Sequence, residues 1–116
     1  LILELYLPGP YTFILGASKQ VPRILKSKRD TVGIRVPDNE IARSIVQELG
    51  NPILSASLPG EFVEDYTDPE IIQERFGKLV DLVIDGGIGG MVPSTIIDLT
   101  SGTPEMVRMG AGEWEE

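Results

Sequence analysis

Apolar and polar positions along this chain follow two periods, near two and near 3.6, and the switches between them mark out strands and helices. LILELYL, Leu1 to Leu7, reads as the second half of a helix whose beginning is absent, ended at Pro8-Gly9-Pro10, where neither proline can donate a helical hydrogen bond. YTFIL, Tyr11 to Leu15, is aromatic and β-branched and predicts a strand. Val21 to Lys28 predicts a short basic helix with Pro22 in its first turn. In TVGIRV, Thr31 to Val36, strict alternation sends Val32, Ile34 and Val36 to one face and Thr31, Gly33 and Arg35 to the other. Pro37 ends that strand. Asp38 is placed to cap a helix with the apolar stripe Ile41, Ala42, Ile45, Val46 and Leu49, and Gly50 is placed to stop it.

PILSASL, Pro52 to Leu58, predicts another strand, with Ser55 and Ser57 together on the face opposite Leu54, Ala56 and Leu58. Leu58 to Thr67 is an acidic loop without helical period, and a second helix is expected from Asp68-Pro69, carrying Ile72, Phe76 and Leu79 on one side. VDLVI, Val80 to Ile84, predicts a core strand that DGGIGG breaks. STIIDL, Ser94 to Leu99, and EMVRM, Glu105 to Met109, predict two last strands joined by SGTP. In the second, Met106, Arg108 and Gly110 alternate against Glu105, Val107 and Met109. The acidic tail GEWEE is expected to be an end rather than part of the core. Strands interleaved with helices before a strand-rich finish predict an α/β domain, a twisted mixed β-sheet with flanking helices.

Composition narrows the chemistry. With neither cysteine nor histidine among 116 residues, thiol nucleophiles, disulfides and the usual zinc sites are excluded. Catalysis would rest on carboxylates, lysine, arginine, hydroxyls or backbone amides. The formal net charge of −8 repels a phosphate backbone at long range. Yet five of the ten basic residues (Lys19, Arg23, Lys26, Lys28, Arg29) fall in one stretch, which reads either as a solvated helix face or as a local anion-meeting patch. No apolar run approaches the ~18 residues of a membrane helix, and a cytosolic protein is the simplest expectation.

Three strands place small or hydroxyl-bearing groups side by side: Thr31, Gly33 and Arg35; Ser55 and Ser57; Ser94 with Asp98. Such a face leaves space and offers donors suited to a carboxylate or phosphate, although the solvent faces of half-buried strands look the same by periodicity. Arg35, between a glycine and a proline, favours the first reading. DGGIGG lacks the Lys-Ser/Thr of a phosphate-binding P-loop and reads as a tight turn. Asp81 and Asp85 would share a strand face about 13 Å apart, too far to work as an acid/base pair.

LPGPYTFIL, TVGIRVPDN, PILSAS, VDLVIDGG, PSTIIDLT and VRMGAG, in this order and spacing, resemble the C-terminal part of the YrdC/YciO family of threonylcarbamoyl-adenylate synthases, closest to the YciO branch. The resemblance covers Leu7 to Gly112 and implies that residues 1–116 are the C-terminal portion of a single YrdC-like domain, incomplete at its N-terminus. It implies an enzyme that converts ATP, L-threonine and bicarbonate to threonylcarbamoyl-AMP and pyrophosphate, with magnesium accompanying ATP, for N6-threonylcarbamoylation of adenosine 37 in tRNA. Carried over by position, Arg35 would hold the threonine carboxylate with Ser55 and Ser94. Thr31 and Ser57 would touch the adenylate, and Arg108 the nucleotide phosphates. No residue is implied as a catalytic nucleophile or protein metal ligand. The resemblance departs at Ser57-Leu58-Pro59, where synthases show Ser-Ala-Asn, and the N-terminal lysine and arginine that help hold ATP are absent. Two other readings are a tRNA or double-stranded RNA-binding module using Lys19 to Arg29, and a non-catalytic regulator that keeps a threonine or nucleotide pocket.

Overall fold

In YTFILG every second side chain is large and ring-bearing or branched, and the strand built from it turns those side chains to one face of a sheet. The structure, a computed structural model, describes residues 2–23, 26 and 28–115. These divide into two compact units, residues 1–54 with 92–116, and residues 55–91.

The first unit is organised by a four-stranded sheet: β1 (Tyr11–Gly16), β2 (Thr31–Arg35), β3 (Thr95–Asp98) and β4 (Glu105–Arg108), in the order β2-β1-β3-β4. β1 is central. It pairs antiparallel with β2 and parallel with β3, and β3 pairs antiparallel with β4, so the sheet is mixed as its pattern predicts. Tyr11, Phe13, Thr95 and Ile97 share the covered face. The helix α1 (Ile2–Tyr6) brings Leu3 and Tyr6 against them. Tyr6 meets Tyr11 edge-on at 5.0 Å between ring centres and Trp114 at 5.2 Å.

The tail that composition marks as a mere end therefore belongs to this packing. Tyr11 donates its hydroxyl to the Glu113 carbonyl (2.7 Å), and the buried Thr95 hydroxyl donates to the Gly112 carbonyl (2.6 Å) while accepting from the Gly110 amide (2.9 Å). A charged run looks solvated, but its backbone answers two sheet hydroxyls that would otherwise be buried unpaired.

The helix α2 (Glu40–Leu49) begins one residue later than expected. Asn39, not Asp38, is its cap, in extended conformation and with Oδ1 accepting from the Ala42 amide at 3.0 Å, while Asp38 pairs with Arg43 at 3.5 Å. Gly50 closes it at φ 85°, a left-handed position that glycine occupies without strain. Of the predicted stripe, Ala42 and Val46 are half-buried, whereas Ile41, Ile45 and Leu49 are exposed.

In the second unit, α3 (Glu64–Thr67) is a single turn inside the predicted loop, and α4 (Pro69–Phe76) starts as expected, with Asp68 capping the Glu70 amide. Arg75 donates to the Pro59 and Asp65 carbonyls at 2.7 and 2.8 Å, pinning the loop to α4. Asp85 accepts from the Gly87 amide, which sits at φ 89°, so DGGIGG is a turn.

Two expected strands are absent. Pro52 to Leu58 and Val80 to Ile84 are irregular and almost wholly exposed. Their alternation is sound, but a strand exists only through a neighbour that takes its backbone hydrogen bonds, and none of the four described strands pairs with either. The predicted helix Val21 to Lys28 includes Ile24, Leu25 and Ser27, which lie outside the described residues.

Candidate functional site

Strand pairing extends the parity of one strand to its neighbours, because partners in register point to the same side. Thr12 is the partner of Arg35 on β2 and of Ile96 on β3, and Ile96 is the partner of Arg108 on β4. Thr31, Gly33 and Arg35 thus share the face opposite the core with Thr12, Ile14, Ile96, Asp98 and Arg108. Ser94, just before β3, joins them through its hydroxyl, 2.6 Å from that of Thr12.

β4 reaches this face by an irregularity that its sequence hides. Between Ile96 and Ile97 the register shifts, so that Arg108 opposes Ile96 and Met106 opposes Ile97. The expected sharing of one face by Met106 and Arg108 is therefore corrected: the bulge adds one residue and turns the two to opposite sides. Arg108 then reaches across β3. Its Nε and Nη2 donate to the Ser94 carbonyl at 3.1 and 2.7 Å, and Nη2 also lies 3.3 Å from the Ser94 hydroxyl. Nη1 makes no hydrogen bond among the described residues.

Arg35 is exposed at the end of β2, and its guanidinium has no hydrogen-bond or ion-pair partner among the described residues. Gly33 beside it keeps the sheet surface low. The result is two guanidinium groups, one on each outer strand, with a pair of hydroxyls between them, an arrangement that offers N–H and O–H donors to an oxyanion.

At the other end of the face Asp98 lies 3.7 Å from Arg29. The Thr100 hydroxyl and then its amide, both donating to Oδ1, hold the Asp98 carboxyl below its ordinary value, with Arg29 adding to the effect. This carboxylate is occupied in closing the turn after β3, and among the described residues no group of three acidic side chains converges to hold a metal ion.

Of the residues proposed from the sequence, Arg35, Ser94, Arg108 and Thr31 come to one face of the first unit. Ser55 and Ser57 belong to the second unit, exposed in a segment without regular structure rather than on the expected strand. Sequence reasoning missed Thr12. Alternation in YTFIL already sets it opposite Tyr11 and Phe13, but only the central place of β1 puts it between Arg35 and Ser94. The basic stretch carries Lys19, Arg23, Lys28 and Arg29 exposed and Lys26 half-buried. Among the described residues no helix is long and apolar enough to cross a membrane.

The Sua5/YciO/YrdC family profile, described as "Telomere recombination", matches residues 1–110. The chain is 54% identical over 110 residues to the "Uncharacterized protein YciO" of Escherichia coli (strain K12), covering 91% of this chain and 52% of that protein. It is 34% identical over 119 residues to the "Threonylcarbamoyl-AMP synthase" of Pyrococcus abyssi, covering all of this chain and 34% of that one. In structure it is similar to the crystal structure of E. coli YciO, with a TM-score of 0.87 at 49% identity over 97% of this chain and 55% of that chain. It is also similar to P. abyssi Sua5 complexed with L-threonine, with a TM-score of 0.80 at 34% identity over 94% and 32% of the two chains. The chain spans about half the length of the YciO relative it matches.

Proposed function

The chain belongs to the Sua5/YciO/YrdC family, and from that membership we propose that its arginine and hydroxyl face binds the carboxylate of L-threonine in a threonylcarbamoyl-AMP synthase. The observation that carries this reading is the alignment of Arg35, Thr12, Ser94 and Arg108 across four strands, with the Arg35 side chain unpaired among the described residues. A relative bearing the synthase name and a family structure holding L-threonine support it.

Arg35 answers the carboxylate with a planar fork of permanent charge, and Ser94 adds a hydroxyl donor beside it. With the carboxylate held, the amine attacks bicarbonate. A C–N bond forms, water leaves with the proton, and the product is the N-carboxylate of threonine. One oxygen of that carbamate attacks the α-phosphorus of ATP, and the bond to the β-phosphate oxygen breaks to release pyrophosphate. Neither step requires a protein nucleophile, so the chain contributes positioning and charge neutralisation.

Arg108 retains Nη1 for a phosphate oxygen, Thr31 and Ser57 are the proposed adenylate contacts, and Ser55 the remaining proposed threonine contact. Magnesium would enter with ATP, neutralising its phosphates as part of the substrate. The product would serve the modification of adenosine 37 in tRNA.

The test is pyrophosphate release from ATP by the protein in its full-length form. Release is expected to require both L-threonine and bicarbonate. In Arg35→Ala it should fall about 10- to 100-fold at subsaturating threonine, the worth of one or two charge-assisted hydrogen bonds. Release that ignores threonine, or an unaffected variant, overturns the reading. The Leu58-Pro59 pair, where synthases show Ala-Asn, favours a second reading as a non-catalytic threonine-binding regulator. Threonine binding with no pyrophosphate release in the wild type would select it.

A further inference from the structure

Thr95 is a hydroxyl where the sheet needs none. It is fully buried, at 0% exposure, on the face it shares with Tyr11, Phe13 and Ile97. Valine has the same branched outline and carries no polar atom to satisfy there. A hydroxyl so placed must use its proton and a lone pair inside the protein, and Thr95 uses both on the tail rather than on the sheet. Its Oγ1 accepts from the Gly110 amide at 2.9 Å and donates to the Gly112 carbonyl at 2.6 Å. Between those two residues the Ala111 amide donates to the Pro93 carbonyl at 2.8 Å. Three successive residues after β4 are thus tied to the two neighbours of Ser94.

The strand that precedes this run is weakly held. β4 is an outer strand with all four residues exposed, and its register with β3 breaks between Ile96 and Ile97. Arg108 is its last residue, so the direction of that side chain depends on the backbone just beyond it. Two positions on, the chain runs so close to the start of β3 that a Cβ on Gly110 would fall on the Pro93 and Ser94 carbonyls. The Ser94 carbonyl is also the acceptor for Nε and Nη2 of Arg108, at 3.1 and 2.7 Å. Arg108 is therefore gripped twice, its guanidinium by Ser94 on the polar face and its following backbone by Thr95 on the covered face. Ser94 has supports that bypass the tail: the Thr12 hydroxyl, and the pairing of β3 with β1, which the Thr95 amide extends to the Pro10 carbonyl at 2.9 Å.

We infer that Thr95 is a positioning residue for Arg108. From the covered side its hydroxyl locks Gly110 to Gly112 against β3, and so fixes the direction in which Arg108 presents Nη1 on the opposite side. The anion that Nη1 meets is a phosphate of ATP on the proposed function, and that identity rests on it. The lock rests only on the contacts of Thr95.

The experiment compares the full-length wild type with Thr95→Val, which removes the hydroxyl and keeps the outline, and with Thr95→Ser, which keeps the hydroxyl. Calorimetry reads ATP and L-threonine, and the Arg108 Nε–H resonance reads the guanidinium without any ligand. ATP should bind about three- to tenfold more weakly in Thr95→Val, the worth of one neutral hydrogen bond, and recover in Thr95→Ser, with L-threonine within about twofold throughout. The Arg108 resonance should shift in Thr95→Val and return in Thr95→Ser. A merely structural loss would weaken both ligands together. That result overturns the inference, as does an unchanged ATP affinity, an unmoved resonance or no recovery in Thr95→Ser. If the wild type binds no ATP, the resonance alone decides: a shift that Thr95→Ser reverses keeps the lock while the nucleotide reading falls. Should Thr95→Val fail to fold, hydrogen exchange in the wild type decides. The Gly110 amide and Arg108 Nε–H protected together support the lock, and a Gly110 amide that exchanges as in an unfolded chain, or is protected without Arg108, overturns it.

Discussion

The hydroxyl of Tyr11 is the residue whose ionisation reports directly on the packed face. Burial, then the neighbouring Tyr6 and Glu113, push its phenol above the ordinary value. A raised folded value favours the neutral form. The stabilisation is fully present below the unfolded value of about 10 and is lost as pH rises through the folded value. Absorbance at 295 nm should therefore show Tyr11 ionising above its ordinary value of about 10, with Trp114 fluorescence changing in the same alkaline window. A Tyr11 midpoint at or below 10 would contradict the packing described. Asp98 carries the opposite sign, since its lowered value stabilises above about 3.9 and that contribution is lost as pH falls below it. At this scale Arg35 was legible, because period-two alternation is a local property and a lone cation in an apolar strand stands out. Thr12 was not, because nothing within YTFIL says which strands flank it.

Among the elements, β1, β2, β3 and β4 were legible within a residue or two, and so were α2 and the start of α4, since caps, prolines and periodicity act over a few neighbouring residues, whereas α4 ends at Phe76 and leaves Leu79 of its expected stripe outside the helix and exposed. What failed is what depends on a partner. The strands read at Pro52 to Leu58 and Val80 to Ile84 have sound alternation and no pairing neighbour, and the bulge in β4 becomes visible only against β3. The run Met109 to Gly112 shows the same dependence in its glycines. A Cβ at Gly112 would fall on the Tyr11 ring, and one at Gly110 on the Pro93 and Ser94 carbonyls. Gly112→Ala is thus expected to destabilise the full-length protein by about 1–3 kcal/mol, read as a lowered denaturation midpoint. An unchanged midpoint would show that the tail is not seated against β1. Gly110→Ala presses on the Ser94 carbonyl and serves less well as a pure stability probe.

At the scale of the molecule, little apolar surface is enclosed. Among the described residues the fully buried hydrophobic side chains are few, centred on Phe13 and Ile97, whereas Leu54 is 71% exposed, Leu79 77% and Leu82 76%. Soluble monomers rarely leave so many large apolar side chains open. The 116-residue chain on its own is accordingly expected to self-associate as its concentration rises in sedimentation velocity and to melt with weak cooperativity. A sharp monomeric boundary with a cooperative melt would contradict this. The sequence by itself determined the α/β class, the family, the faces of β1 and β2, the capped helices and the candidacy of Arg35, Ser94 and Arg108, all through local periodicity, turn chemistry and ordered motifs. Only the tertiary structure decided that Thr12 and Ser94, 82 residues apart, share a hydrogen bond between two arginines, and that two well-patterned segments form no strand. Periodicity sets which way a side chain points. Which neighbour it meets there is settled by backbone pairing between distant segments, and no short stretch of sequence carries that information.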